Sequence, residues 1–338
     1  MGTPDRRSGL ITMPDFSPVD YAVPAFVLLV LIEMIWARRQ ARHAYESRDM
    51  AVSLAFGLGS TVAGALTGSL VLALLFLAYD VRLMTIGWDW WVWPLCFVLD
   101  DLAYYCFHRS AHRIRWFWAS HVNHHSSQHY NLSTALRQSW TGFIAMSFVF
   151  RLPLALAGFH PAMIIFCGGL NLIYQFWIHT EAIDRLPRWF EAVMNTPSHH
   201  RVHHATNPVY LDRNFAGTFI IWDRMFGTFE REDDAERPRY GIVTQLGSFN
   251  LIWAVLHEWI GMARDVYAAP WRHKLSYLWR EPGWSHDGSR KSSAVIREEW
   301  LARQKQPQPP DEPCDCSLSA QSGLPTMQKA IAARPPPP

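Results

Sequence analysis

The sequence carries almost no net charge, no cysteine framework and no nucleotide fingerprint, and each lack excludes something. With 31 Lys and Arg against 29 Asp and Glu in 338 residues the formal charge is +2, so there is no basic field for a nucleic acid. The five cysteines (Cys96, Cys106, Cys167, Cys314, Cys316) have no disulfide spacing; three sit in apolar runs and two form a tail "CDC" read as unstructured and inert. "GLGSTVAG" (57–64) lies inside an apolar run, without the strand–turn–helix context of a dinucleotide loop. With no flavin or nicotinamide site, any electrons must come from outside the chain. The zinc-protease motif H-E-x-x-H is missing, because "HEWI" (257–260) has no second histidine four residues after His257. Glu-x-x-His pairs, the ligands of soluble di-iron bundles, are missing as well.

Long apolar runs are plentiful. "YAVPAFVLLVLIEMIW" (21–36) is taken as a membrane helix, since no small-residue cleavage pattern follows it. "AVSLAFGLGSTVAGALTGSLVLALLFLAY" (51–79) is free of charge throughout, and a bilayer core needs only about 20 apolar residues. "TIGWDWWVWPLCFVLDDLAYYCF" (85–107) opens on an interfacial Trp cluster. "WTGFIAMSFVFRLPLALAGF" (140–159) and "PAMIIFCGGLNLIYQFWI" (161–178) read as a helical hairpin. Arg38, Arg39, Arg42 and Arg48 follow the first run, so the positive-inside rule puts residues 37–50 in the cytoplasm. The fold class is therefore all-α, a multi-pass membrane bundle of about four spans. Counting crossings from the 37–50 loop brings the residues near 108, 121, 179 and 200 to the cytoplasmic face.

Those positions are histidines. Twelve of the sixteen fall between 108 and 204. "HRSAH" (His108, His112), "HVNHH" (His121, His124, His125) and "HRVHH" (His200, His203, His204) repeat i, i+3, i+4 spacings, which put each set on one helical face. His179 ends the last apolar run. Neutral imidazole is the commonest protein metal ligand, and three such sets on one membrane face form a histidine-rich metal cap. A zinc ion takes about four ligands, so eight or nine imidazoles imply two ions. Ligand type alone leaves Zn, Cu, Fe and Ni open.

The three sets, with "YNLSTALRQS" (130–139), "NLIYQFWIHTE" (171–181), "NTPSHHRVHH" (195–204) and "NFAGTFIIWDRMFGTFE" (214–230), resemble the fatty acid hydroxylase/sterol desaturase superfamily of membrane non-haem di-iron oxygenases, and most closely its alkylglycerol monooxygenase branch. The resemblance covers roughly residues 85–230. It implies two iron ions held by His108, His112, His121, His124, His125, His200, His203 and His204, with His179 as the extra ligand from a helix end. It further implies O2, a lipid substrate in the membrane, and a reductant that is either tetrahydrobiopterin or an external electron-transfer protein. In that branch oxygen enters at the ether-linked carbon of an alkylglycerol, and the hemiacetal collapses to a fatty aldehyde and glycerol. Hydroxylation or desaturation of a sterol, carotenoid or fatty acyl chain is the alternative within the superfamily. A non-catalytic membrane metal or haem protein is the alternative outside it. Arg113 and His129 stand where the animal enzymes of that branch are expected to carry acidic residues.

Around the ligands, Asp101, Tyr105, Asp212 and Asn214, and with the last two Asp223, are candidates to brace the imidazoles; Asp101 and Tyr105 share a helical stripe with His108 and His112. Asp100, and Arg151 inside the hairpin, are costly in a membrane unless paired. Asn131, Arg137 and Gln138 are candidates to hold a polar head group. His129 and His199 break the spacing and stay outside the ligand set, and His160 is expected to be polar surface. "NLIWAVLHEWIGMA" (250–263) reads as an amphipathic helix lying on the membrane or capping the metal domain. The expected organisation is an N-terminal segment (1–20), a membrane-embedded domain (21–264), a short C-terminal segment (265–302) and a disordered Pro-rich tail (303–338).

Overall fold

A computed structural model describes residues 18–40 and 44–305; the first seventeen residues, Arg42, the CDC pair and nearly all of the Pro-rich tail lie outside them. Among the described residues there are twelve α-helices and no strand, only two isolated bridges, Met194 to Phe219 and Ala205 to Tyr240. In chain order the helices are α1 Pro18–Arg39, α2 Ser47–Asp80, α3 Val92–Arg113, α4 Arg115–His125, α5 Leu152–Ala157 and α6 Pro161–Trp177. Then come α7 Arg188–Glu191, α8 Pro197–His203, α9 Ile221–Met225, α10 Leu251–Ala268, α11 Ser276–Trp279 and α12 Ser293–Gln304. Residues up to 298 form one compact unit, and 299–305 belong to a second.

Two helices, α1 and α2, are long and apolar enough to cross a membrane. Only 6% of the most apolar stretch of α2 is buried within the protein, so it is no core helix of a soluble fold. Its 34 residues make a rod of about 50 Å, longer than the hydrocarbon layer. Glu46 caps its first turn by accepting from the Asp49 amide at 2.6 Å.

The stretch 140–159 is not the single hairpin arm expected from its composition. It divides into turns, a 3-10 segment Ser147–Arg151 and the six-residue α5. Three local causes combine. Trp140 is tethered by its indole to the Phe56 carbonyl of α2 at 3.0 Å, Met146 takes a left-handed conformation, and Arg151 is drawn to Asp100 of α3 at 2.6 Å. Gly158 then ends α5 at φ +118°, where any Cβ would stand 2.2 Å from the Met84 carbonyl oxygen. His160, expected as polar surface, caps α6: its Nδ1 accepts from the Ala162 amide at 3.2 Å, and its ring packs on Phe76, Tyr79 and Trp88.

α3, α4 and α6 make the centre of the unit. Between α3 and α4 only Ile114 leaves the helical region, at φ −128° and ψ 118°, and this one extended residue redirects the chain so that α4 folds back along α3. The apolar face of α3 packs with Leu75, Leu154, Met163 and Ile164. Its polar positions are tied individually, as follows.

Candidate metal centre

Each histidine set arrives at the end of a helix. His108 and His112 occupy the last two turns of α3; His121, His124 and His125 the last turns of α4; His179 follows α6 by two residues; His200, His203 and His204 close α8. The nine rings meet in two groups. His108, His112, His121, His125 and His203 form one, and His124, His179, His200 and His204 the other, with the ligand nitrogens of each group within 4.8 Å of one another. The groups touch, since the His203 ring lies 5.1 Å from that of His200 and the His125 ring stacks at 4.4 Å on that of His204.

Hydrogen bonding fixes which ring nitrogens face inward. His108 Nδ1 stands 2.7 Å from the Phe215 carbonyl, His203 Nδ1 2.9 Å from that of Arg213, and His179 Nδ1 2.7 Å from that of Gln175. A carbonyl can only accept, so these Nδ1 atoms carry the protons and the Nε2 atoms present bare lone pairs. The Nε2 atoms crowd together at 2.9 Å (His108–His121), 3.1 Å (His125–His203) and 3.0 Å (His179–His200). One proton per neutral ring cannot serve all of these contacts, and His112 Nε2, His124 Nδ1 and His200 Nδ1 are buried with no partner. Convergent lone pairs and orphaned nitrogens are the donor set of a soft or borderline divalent cation, so the residues fit a dinuclear metal site.

Burial keeps every ring in ligand form. Desolvation is the main cause that pushes all nine far below the ordinary imidazole value, His203 to about 4 and His179 to about 3. In metal-stripped protein the sign of the linkage follows. The unfolded chain takes up protons below about pH 6.5 that the folded chain refuses, so stability is full above that value and is lost as pH falls toward 4. Each ring held neutral at pH 5.5 costs about 1 kcal/mol. Metal-stripped protein should therefore melt more than about 10 °C lower at pH 5.5 than at pH 7.5. Equal melting temperatures would mean that the rings are solvated.

The bracing residues divide. Asp212, at a left-handed φ of +56° that Asp tolerates, brings Oδ1 to 3.5 Å from His112 Nδ1; burial raises its own pKa to about 6 against the pull of Arg113. Asn214, also left-handed, donates to the carbonyls of His199 and Glu230 and accepts from the Glu230 amide. Asp101 meets no histidine. It is fully buried and accepts from the amides of Thr218 and Phe219, the Trp222 indole and the Asn171 amide, at 2.7–3.0 Å. Tyr105 likewise turns away, to Thr228 Oγ1 at 2.8 Å. A shared stripe along α3 was a poor guide, because α3 is enclosed and the 214–228 loop covers its middle.

The head-group candidates are occupied by the fold. Arg137 lies in a buried pair with Asp49 at 2.8 Å and bonds Ser53 and Ser126. Asn131 holds the Ala44 carbonyl and caps Ser133. Gln138 is exposed and donates to the Ala135 carbonyl.

Several supporting residues escaped the sequence reading. Tyr130 donates to the Ile178 carbonyl and stacks on His179. Arg201, between two box histidines, pairs with Glu232 and ties down the carbonyls of Thr180, Ile183 and Asp184. Asp223, by contrast, was among the expected bracing residues: it accepts from the amides of Phe215 and Ala216 at 2.8 Å and so fixes the loop whose carbonyls orient His108 and His203. Glu33 of α1 is buried and accepts from Tyr45, Thr180 and the Leu132 amide. An acid within an apolar run was the one available signal for it. His199, one residue from His200, faces away onto Phe229.

A cavity of about 640 Å3 opens beside the first group; His112, His125, His203 and His204 lie at its base, with Trp118, Ile242 and Glu258 in its wall.

Residues 93–228 match the fatty acid hydroxylase family model. The chain is 40% identical to alkylglycerol monooxygenase of Danio rerio over 280 residues and 39% identical to that of Homo sapiens over 277, about 80% of this chain in each case. It spans about 60% of the length of those relatives. An ornithine lipid hydroxylase of Rhizobium tropici is 23% identical over 228 residues, 65% of this chain and 67% of that one. No solved structure matches the chain.

Proposed function

Because residues 93–228 belong to the fatty acid hydroxylase family, we propose that the chain is a membrane di-iron monooxygenase that attacks a lipid C–H bond, and that its substrate is an alkylglycerol ether. The observation that carries this reading is the pair of all-imidazole groups, five and four rings in contact, in a chain about 40% identical to alkylglycerol monooxygenases. Iron bound there would supply O2 activation and electron transfer, which no acid–base side chain provides.

The protein's own part is positional. His108, His112, His121, His125 and His203 would hold one iron, and His124, His179, His200 and His204 the other. The Phe215, Arg213 and Gln175 carbonyls keep three of the rings in the tautomer that points a lone pair inward. Asp212 faces the outer nitrogen of His112. Enclosure of the rings keeps water and protons off them. One oxygen atom enters at the ether-linked carbon and the other leaves as water, with two electrons and two protons from a tetrahydropterin or a redox protein. The resulting hemiacetal breaks down to aldehyde and glycerol. α1 and α2 would cross the bilayer, with α3, α5 and α6 entering it, and the histidines lie on the side of Arg38, Arg39 and Arg48, the cytoplasm.

Metal analysis of detergent-purified protein is expected to give two irons per chain, with tetrahydrobiopterin-dependent aldehyde release from 1-O-hexadecylglycerol. Two irons with no aldehyde would move the substrate to another lipid, such as an ornithine lipid. One zinc, or haem, would overturn the reading.

A further inference from the structure

Helix α10 is polarised the wrong way round for a helix that faces water. At about 100° per residue, Ile252, Trp253, Leu256, Ile260, Ala263 and Tyr267 fall within one arc about 100° wide. That arc points outward: Ile252, Trp253, Leu256, Ala263 and Tyr267 are exposed, Tyr267 by 87%. The acids lie on the other side, where Glu258 and Asp265 each take the Arg115 guanidinium of α4 at 2.6 Å. Past the helix end Trp271, Leu275 and Trp279 are exposed as well, and exposed Arg264 and Arg272 accompany these apolar residues along the chain. Its first turn is anchored on a candidate membrane helix, because Ala254 and Val255 pack on Phe56 of α2. Among the described residues only α1 and α2 are apolar enough to cross a bilayer.

We propose that α10 and the turn after it lie in the headgroup layer of the bilayer, flat against the leaflet that α2 enters. Trp and Tyr among aliphatic residues, bordered by arginines, form the surface that this layer accepts, and arginine suits anionic lipid. Continuity with α2 puts the stripe at membrane level. Glu258 on the opposite face of α10 and His257 on its flank line the 640 Å3 cavity beside the histidines. The cavity mouth therefore borders the leaflet, and an amphiphile enters it sideways; this second point rests on the lipid-oxygenase reading, the first does not.

Spin labels test the seating. On a background of Cys106→Ser, Cys314→Ser and Cys316→Ser, labels are placed through Ile252→Cys, Leu256→Cys and Tyr267→Cys, with Asp234→Cys as the exposed control. The full chain is reconstituted in vesicles of phosphatidylcholine and phosphatidylglycerol. The three stripe labels should collide with dissolved oxygen at least about threefold more than with a water-soluble nickel chelate, relative to Asp234→Cys. Free collision with nickel would overturn the proposal by placing the stripe in water. Poor collision with both reagents would overturn it by placing a protein there. For entry, Ile252→Lys with Leu256→Lys should raise the KM for vesicle-borne hexadecylglycerol about tenfold with little change in kcat; an unchanged KM would overturn sideways entry. If wild-type protein turns over no alkylglycerol, the alkylglycerol reading fails while the labels still decide the seating.

Discussion

Replacing His203 with alanine is expected to remove iron from the five-histidine group and lower turnover by at least about a thousandfold, a loss of roughly 4 kcal/mol in transition-state stabilisation. Of the other rings in that group, only His125 is comparably placed between the two groups. His203 lies 4.3 Å from His108, 4.8 Å from His112 and 4.7 Å from His125 within its own group, and 5.1 and 5.3 Å from His200 and His204 of the other, centroid to centroid. Its loss opens the joint between the groups as well as one coordination position. Four imidazoles remain in the first group, enough in number for a tetrahedral ion, so a retained but idle metal is the milder outcome. The control is His199→Ala, four positions away and facing Phe229, which should keep two irons and most of its activity. Iron content and oxygen consumption on both variants decide the matter. A His203→Ala protein with two irons and full turnover would sink the ligand assignment.

Asp101→Ala should fail differently, by unfolding. The carboxylate is fully buried and receives two backbone amides, an indole and a side-chain amide. Truncation strands all four donors, and each stranded buried donor costs about 1–3 kcal/mol. The sum, about 4–12 kcal/mol, is comparable to the whole stability of an ordinary domain. Gly217 sits against the same carboxylate, where an added Cβ would stand 2.7 Å from Asp101 Oδ1, so the loop packs on Asp101 as closely as a residue without a side chain allows. The variant should melt at least about 10 °C lower in detergent, or fail to accumulate. Any iron loss should track the unfolded fraction. If Asp101→Ala melted like wild type but lost iron selectively, the histidine-bracing role expected from the sequence would be the correct one after all.

The contrast between these two residues shows what was legible in the sequence and why. Spacing put each of the three histidine sets on one helical face, because i, i+3 and i, i+4 repeats translate directly into such a face, and counting crossings carried the sets and His179 to a common side. The second metal group was less visible, since His179 joins it from a helix end fifty-four residues beyond His125 in sequence. The bracing residues were hardly legible. Asp101 shares a stripe with His108, but its two backbone partners come from a loop more than a hundred residues away and Asn171 from another helix, and periodicity does not report on such contacts. The carbonyls of Phe215 and Arg213 that set the ring tautomers have no side-chain signature at all. Arg137 and Asn131 looked free only because Asp49 and Ala44, their partners, lie in distant parts of the chain. Hydropathy found α1 and α2 correctly and misjudged 140–159, where a charge pair and a tethered Trp outweigh an apolar composition.

That every histidine set comes from a helix C-terminus has an electrostatic consequence. The peptide dipoles of α3, α4 and α6 point their negative ends, each equivalent to about half an elementary charge, toward the same small volume. Nine neutral imidazoles bring no charge of their own, and among the described residues Asp212 is the carboxylate that pairs with one of them. Two divalent cations would thus be offset chiefly by backbone carbonyls, whose partial charges cannot be titrated away. The pocket would keep a net positive potential, drawing in small anions and electron-rich oxygen atoms, while acidification could reach it only by unfolding the helices that aim at it.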